Sequence, residues 1–384
     1  MSRRAVAAVL TSAALVAACS APSGPEPGDA QAEPGPSSAP SAPPGPPSSF
    51  SVVATGDILI HPPLTEQAAE DAAAADVGGP DEFDYGPLLA GIRPLVSEAD
   101  LALCHLEVPL AEDGGPYAGY PQFIAPPELA RGLADTGYDS CSTASNHTLD
   151  HGEEGVVSTL DALDDAGLAH TGSARDEAEA TTPLVLDVDG VKVGQVSYTF
   201  SFNGLELPED KPWLSNPLDA EAVIAEAEAA KQAGAEVVIA SIHWGQEYVH
   251  EPTPEQAELA ERLLAEDAID LVIGHHAHVV QPIEKVGGEW VAYGLGNSVA
   301  RHAEPRGVSE EGIAARFTFA RDGDSWTVDR AEYVPTLVEL GPPIRLVDLT
   351  TAEPTDRRTE ALERTDEIVL GRGGADDGLT RPGR

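Results

Sequence analysis

From Phe50 onward the chain repeats one pattern, a short apolar, β-rich run that stops at polar residues. Ser51-Val52-Val53-Ala54 is the first such run, and it breaks at Thr55-Gly56-Asp57 as a strand does on entering a loop. The pattern recurs over 100–107, 137–147, 236–243 and 270–278. Helical periods separate these runs over 127–135, 153–166 and 219–233, the last closed by Gly234. Thr253-Pro254-Glu255-Gln256 opens a fourth helix, with Thr as cap, Gln three residues on and Pro at the first helical position. Strands alternating with helices predict a parallel-rich sheet with helices packed outside it.

After Thr182 the texture changes. Runs at 184–188 and 191–194 around Gly190, and at 313–319 and 326–334 flanking Asp322-Gly323, read as antiparallel hairpins. Hairpins added to an α/β core predict two stacked sheets with helices outside, an α/β/β/α four-layer sandwich. One folded domain over 50–350 is expected. Beyond it, residues 351–384 are charged and poor in bulky apolar side chains, so a helix and a frayed tail are expected there.

The first 49 residues belong to a different class. Arg3 and Arg4 precede a short apolar stretch, the layout of an export signal over 1–19. It ends in Val16-Ala17-Ala18-Cys19, which resembles the lipobox of bacterial lipoproteins. That resemblance implies cleavage before Cys19, a lipid on its thiol, and a protein held at the extracellular face of the cell membrane. Residues 20–49 form a Pro/Ser/Gly-rich linker; ten of the 29 residues from Ala21 to Ser49 are proline. Such a segment buries too little to fold and acts as a semi-rigid spacer of up to about 90 Å.

Charge then narrows the partners. The 384 residues carry 22 Lys+Arg against 65 Asp+Glu, a formal net charge of −43. Phosphate contacts need cationic side chains, so nucleic acid is excluded as a partner. Unaided docking on anionic lipid is excluded for the same reason, leaving a lipid anchor as the membrane contact. An anionic ligand would need a metal cation between it and this surface. The 42% hydrophobic content is ample for a large core. Cys104 and Cys141 each sit in an apolar run, and two readings stand for them: a disulfide, or two buried small hydrophobes.

The chemistry gathers where the apolar runs end. Those ends deliver Asp57, Glu107, Asn146 with His147, His243, and His276 with His278. In an α/β sheet the carboxyl ends of the strands share one edge, where ligands bind. A lone Asp after a strand is commonly a turn or helix cap. Gly274-His275-His276-Ala277-His278 is far more specific, because core packing gives no reason for three imidazoles in four positions. Imidazole with carboxylate suits zinc, manganese or iron. His151, His170, His250 and His302 read as surface or supporting residues.

Several strings carry a family resemblance: Ala54 to Asp57, Leu106-Glu107, Ala144 to Gly152, His243-Trp244-Gly245-Gln246-Glu247-Tyr248, Gly274 to Gln281, and Tyr293 to Asn297. Together, and in this order, they resemble the bacterial capsule-synthesis CapA proteins, also called PgsA, associated with poly-γ-glutamate synthesis and export. That group looks like a branch of the calcineurin-like metallophosphoesterases, which implies a metallo-dependent phosphatase-like fold. The resemblance implies metal ligation by Asp57, Glu107, Asn146, His243, His276 and His278, with His147 assisting a leaving group. Two departures stand out. The superfamily's Asp-x-His becomes Asp57-Ile58-Leu59, with His61 nearby but offset, and His105 occupies a position commonly Asn within the group.

The expectation is therefore an exported, tethered protein with one or two divalent ions, acting on an anionic envelope polymer alongside capsule-synthesis partner proteins. The alternatives are a metal-dependent hydrolase of an envelope phosphoester or polymer amide, and a non-catalytic polymer-binding lipoprotein.

Overall fold

The computed structural model describes residues 47–75 and 82–383. The export signal, Cys19 and all but the last three residues of the linker lie outside the described residues.

Fourteen strands are present among the described residues. In chain order the first six are β1 (Ser49–Leu59), β2 (Leu101–Leu106), β3 (Ser140–Ser142), β4 (Ala169–Thr171), β5 (Leu184–Val188) and β6 (Val191–Thr199). Then come β7 (Val237–His243), β8 (Leu271–His275), β9 (Ile283–Val286) and β10 (Glu289–Ala292). The last four are β11 (Asn297–Ala300), β12 (Glu311–Asp322), β13 (Ser325–Glu339) and β14 (Arg345–Asp348).

They form two sheets. The first has the order β14-β13-β12-β1-β2-β3-β4, with β11 beside the end of β1; the second runs β5-β6-β7-β8-β10-β9. β1 to β4 are parallel, as are β6, β7, β8 and β10, while β12 to β14 add antiparallel strands to the first sheet. The two sheets face each other across one apolar cluster that includes Val52, Leu101 and Leu103 from the first and Val193, Ile239 and Leu271 from the second. The outer face of the first sheet packs on helices Pro62–Ala74, Glu128–Thr136 and Gly152–Ala166. The outer face of the second packs on helices Ala220–Gln232 and Pro254–Leu263. The fold is thus the α/β four-layer sandwich, and each fully buried aliphatic side chain contributes roughly 1.5–3 kcal/mol to it.

Strand alternation dictates what faces the gap between the sheets. In β2, Leu101 and Leu103 point into it while Ala102, Cys104 and Leu106 point to the helices. In β7 and β8, Val237, Ile239, Leu271 and Ile273 point inward while Val238, Ala240, Ile242 and Val272 point outward. The same parity carried to the carboxyl ends turns His105, Glu107, His243 and His275 inward. The gap changes from hydrocarbon to imidazole and carboxylate along each strand.

β1 reaches the same end by a different route. It does not stop at Thr55-Gly56-Asp57, as its sequence predicts, but continues to Leu59. Ala54 pairs with Leu103 and Asp57 with His105, so β1 holds one extra residue there, a β-bulge. Before the bulge Phe50, Val52 and Ala54 face the gap; after it Ile58 and Ile60 face the helices. The bulge inverts the parity and delivers Asp57 to the side of His105 and Glu107.

Other elements differ from expectation. The run at 137–147 contains only three strand residues, because it turns at Ala144 to carry Asn146 and His147. The run at 270–278 leaves the strand after His275, with His276 and His278 at positive φ of 89° and 54°. Helix Pro62–Ala74 was not marked by any sequence signal except its opening prolines. The tail is not frayed. Helix Asp356–Val369 supplies Arg357 and Arg364 to the buried carboxylate of Glu311 at 2.6 and 2.9 Å, and buried Leu379 precedes Thr380, which pairs with Ala331 and Tyr333. Cys104 and Cys141, in register on β2 and β3 with Cα atoms 4.5 Å apart, form a disulfide.

Candidate metal centre

All seven singled-out residues meet at the carboxyl ends of β1, β2, β3, β7 and β8. Asp57 Oδ2 lies 3.2 Å from His278 Nδ1 and accepts a hydrogen bond from the His276 backbone N–H at 3.1 Å. His278 Nε2 lies 3.6 Å from Glu107 Oε1. His243 Nε2 is 3.0 Å from Asn146 Oδ1, and the rings of His243 and His276 are 4.8 Å apart. His147 Nδ1 is held by Asp150 Oδ2 at 2.7 Å, with Phe123 edge-on to its ring. Each of these side chains is at most 7% exposed.

Two imidazoles join them that were not among the expected ligands. His275 Nδ1 lies 3.3 Å from Asp57 Oδ1, and His105 stacks on His275 with centroids 4.0 Å apart. Their signal was period-two alternation, which puts His105 on the face of Glu107 and makes His275 the last in-register residue of β8. Asn297 also enters, its Oδ1 3.0 Å from His278 Nδ1. His61 stays out of the ligand groups: its Nδ1 lies 3.1 Å from the carbonyl of Leu59. His302 stands beside the candidate ligands, its ring 5.8 Å from that of His278. His170 and His250 are engaged elsewhere, by Asp164 and by the Val280 carbonyl. His151 sits at the start of helix Gly152–Ala166.

The electrostatics are those of a site wanting a cation. Burial pushes the Glu107 carboxyl up to about 7, although the charge of His278 opposes the shift. Burial would also raise Asp57, but the bonds from His275 and His278 outweigh it and hold that carboxyl well below the usual range. Burial works against the His278 imidazolium, yet Glu107 and Asp57 outweigh it and lift its pKa to about 10. Burial, reinforced by His278, pushes His276 down to about 3. His105 and His243 are held well below the ordinary imidazole value, chiefly by burial.

The residues fit a divalent metal. Both Glu107 carboxylate oxygens and His276 Nδ1 are buried without hydrogen-bond partners, and Asp57 Oδ1 and His275 Nδ1 have only each other, at 3.3 Å. Leaving buried polar atoms unpaired costs roughly 1–3 kcal/mol each, more for a charge, so a cluster of them points to an ion as partner. Among the described residues three groups bring ligand atoms within reach of one ion: Asp57 with Glu107 and His278, Asp57 with His105 and His275, and Glu247 with His276 and His278. Carboxylate plus imidazole is the donor set of zinc, manganese and iron.

The family model described as "Bacterial capsule synthesis protein PGA_cap" matches residues 51–302. The chain belongs to that family. Every ligand candidate of this PGA_cap protein falls inside the match. "Capsule biosynthesis protein CapA" of Bacillus anthracis is 29% identical over 215 residues, covering 54% of this chain and 52% of that one. "PGA biosynthesis protein CapA" of Bacillus subtilis is 32% identical over 174 residues, covering 45% of each. The matched part therefore spans about half the length of these curated relatives. Among solved structures, a calcineurin-like phosphoesterase, YfkN from Bacillus subtilis, is 17% identical with a TM-score of 0.45, covering 84% of this chain and 98% of that one.

Proposed function

We propose that this PGA_cap protein is exported, tethered through Cys19 at the outer face of the membrane, and acts in capsule or poly-γ-glutamate synthesis or export by gripping an anionic envelope polymer through a divalent-metal centre. The observation that carries this is the buried pair Asp57 and Glu107, whose oxygens are short of hydrogen-bond donors and stand among His243, His275, His276 and His278 in a chain of net charge −43. Asp57, Glu107 and His278 would hold one ion, and Asn146, His243 and His276 complete the donors for a second. A bound ion supplies positive charge and Lewis acidity toward a carboxylate or phosphate oxygen. The chain's own residues do the rest: Asp57 orients His278, Asn297 shares that task, and the apolar gap behind β2 and β8 keeps water away. Capsule-synthesis proteins are the partners this role requires.

A second reading is favoured by one observation, the His147–Asp150 pair. With Nδ1 held by Asp150, His147 keeps Nε2 as the atom that can hold a proton for a leaving group, the arrangement of a general acid in a phosphoester or amide hydrolase.

One experiment tests both. The purified protein is analysed for metal, then assayed for poly-γ-glutamate binding and for cleavage of phosphodiester and polymer substrates, with and without chelator. One or two equivalents of metal, lost in a His276→Ala/His278→Ala variant, together with chelator-sensitive polymer binding, are expected. Polymer binding that persists without metal would overturn the bridging role, and turnover abolished by His147→Ala would favour the hydrolase.

A further inference from the structure

A chain of hydrogen bonds runs from the candidate centre into the first sheet. Asn146 Oδ1 faces His243 Nε2 at 3.0 Å; His243 Nδ1 faces His105 Nε2 at 2.9 Å; His105 Nδ1 faces Ser142 Oγ at 2.8 Å. At the far end Ser142 Oγ also reaches the carbonyl oxygen of Cys104 at 3.3 Å. All of these side chains are at most 1% exposed, so no water competes for the bonds.

Two neutral imidazoles in such a chain admit two proton arrangements. In the first, Ser142 donates to His105 Nδ1, His105 Nε2–H donates to His243 Nδ1, and His243 Nε2–H donates to Asn146 Oδ1. In the second, Ser142 donates instead to the Cys104 carbonyl, His105 Nδ1–H donates to Ser142 Oγ, and His243 Nδ1–H donates to His105 Nε2. Each ring carries one proton in both arrangements, so none is gained or lost. The difference lies at His243 Nε2, which is protonated in the first and bare in the second. Only the bare nitrogen is a ligand, and beside it stands Asn146 Oδ1, a second lone-pair donor. A ligating imidazole ordinarily donates its other N–H to a fixed acceptor, which sets its tautomer and raises its basicity.

We propose that His105 is a positioning residue of the metal centre: it accepts the His243 Nδ1 proton and, with Ser142, switches both rings to the tautomer that frees His243 Nε2 for the ion. This inference rests on the metal-centre reading. It explains why an imidazole suits position 105, since the group there must accept through one atom and donate through another. The Ser142 hydroxyl completes the switch because it can turn between two acceptors. The disulfide between Cys104 and Cys141 clamps the two strands one residue before His105 and Ser142.

The test uses Zn2+ as probe. Two-bond nitrogen–proton NMR on the chelator-treated and Zn2+-loaded protein reads the tautomer of each histidine, and chelator competition reads affinity. Loading is expected to move His243 and His105 together from Nε2–H to Nδ1–H. His105→Phe and the milder Ser142→Ala are expected to weaken Zn2+ binding, the former by roughly 10–100-fold, and denaturation of the metal-free proteins measures separately the stability that His105→Phe loses by leaving His243 Nδ1 unpaired. A variant that merely loosened the fold would lose stability without abolishing the tautomer change at His243. The proposal is overturned if Zn2+ binds but the two tautomers do not change together, if both variants bind as the parent does, or if His105 itself ligates the ion. Failure of the parent to bind Zn2+ or any other divalent ion would instead overturn the metal-centre reading beneath it.

Discussion

Gly56 approaches Gly296 so closely that a Cβ on Gly56 would lie 2.0 Å from the carbonyl oxygen of Gly296, the same oxygen that accepts the Asp57 backbone N–H at 2.9 Å. The contact fixes the bulge that turns Asp57 toward the second sheet. Both atoms are backbone, so neither can rotate away. Gly56→Ala is expected to cost about 3 kcal/mol, the upper end for overpacking, measured by urea unfolding. The same variant should bind metal more weakly, because its Asp57 carboxylate no longer faces His275 and His278.

Glu107 separates binding from stability. Its two oxygens are buried without a hydrogen-bond partner, His278 Nε2 stands 3.6 Å from one of them, and burial still raises the pKa to about 7, so a metal-free fold gains little from the charge. Glu107→Gln is expected to be no less stable than the parent in chelator. With metal added, it should lose affinity by more than the roughly 10–100-fold typical of groups that only support a ligand. Thermal melts with and without Zn2+ read both outcomes.

Far from the centre, Glu226 provides a pH test. Burial raises its pKa from 4.5 to about 6, and Tyr198 Oη donates to it at 2.5 Å. A carboxyl with a raised folded-state pKa is protonated more readily in the native than in the unfolded chain. Its effect is therefore absent below pH 4.5, and stability falls as pH rises from there through about 6. Glu226→Gln keeps an acceptor for Tyr198 and removes the charge. It should match the parent at pH 4.5 and exceed it by about 1–2 kcal/mol at pH 7.5, measured by urea unfolding at each pH.

The Cys104–Cys141 disulfide closes a loop with a sequence separation of 37. Constraining the unfolded chain over such a span stabilises the fold by about 2–4 kcal/mol. A Cys104→Ser/Cys141→Ser variant is expected to lose that amount in denaturant titration, and the parent should lose it on reduction. Equal midpoints for the oxidised and reduced protein would show that helix packing alone secures β2 and β3.

Much of this was legible in the sequence. The apolar runs that end in Glu107, His243 and the His-rich turn after Ile273 mark strands whose carboxyl ends share an edge, and the Thr253 capping box opens its helix as written. The strand leading to Asp57 was legible, but its course beyond Ala54 was not. The strand continues, and only a bulge created by a long-range Gly–Gly contact turns Asp57 inward. His105 was visible as a departure from its group, but not as a neighbour of His243, because that contact joins positions 138 residues apart. The tail misled for a similar reason. Its few apolar residues suggest fraying, whereas its arginines answer a buried glutamate on β12 that sequence cannot pair with them.

The ligand candidates run from residue 57 to residue 278 and come from both sheets, so neither sheet alone contains the whole donor set. The parallel pairings that bring them together are non-local, a kind that is intrinsically slow to form. Affinity alone orders the first-row ions the same way in most sites, and proteins select among them through geometry, ligand type and what is available. On the metal-centre reading, the ion acquired is therefore set in part where and when the two sheets close, by the ions present in the compartment in which folding is completed. Expressing the same sequence in a compartment with a different metal supply should change the ion bound without changing a single contact described above.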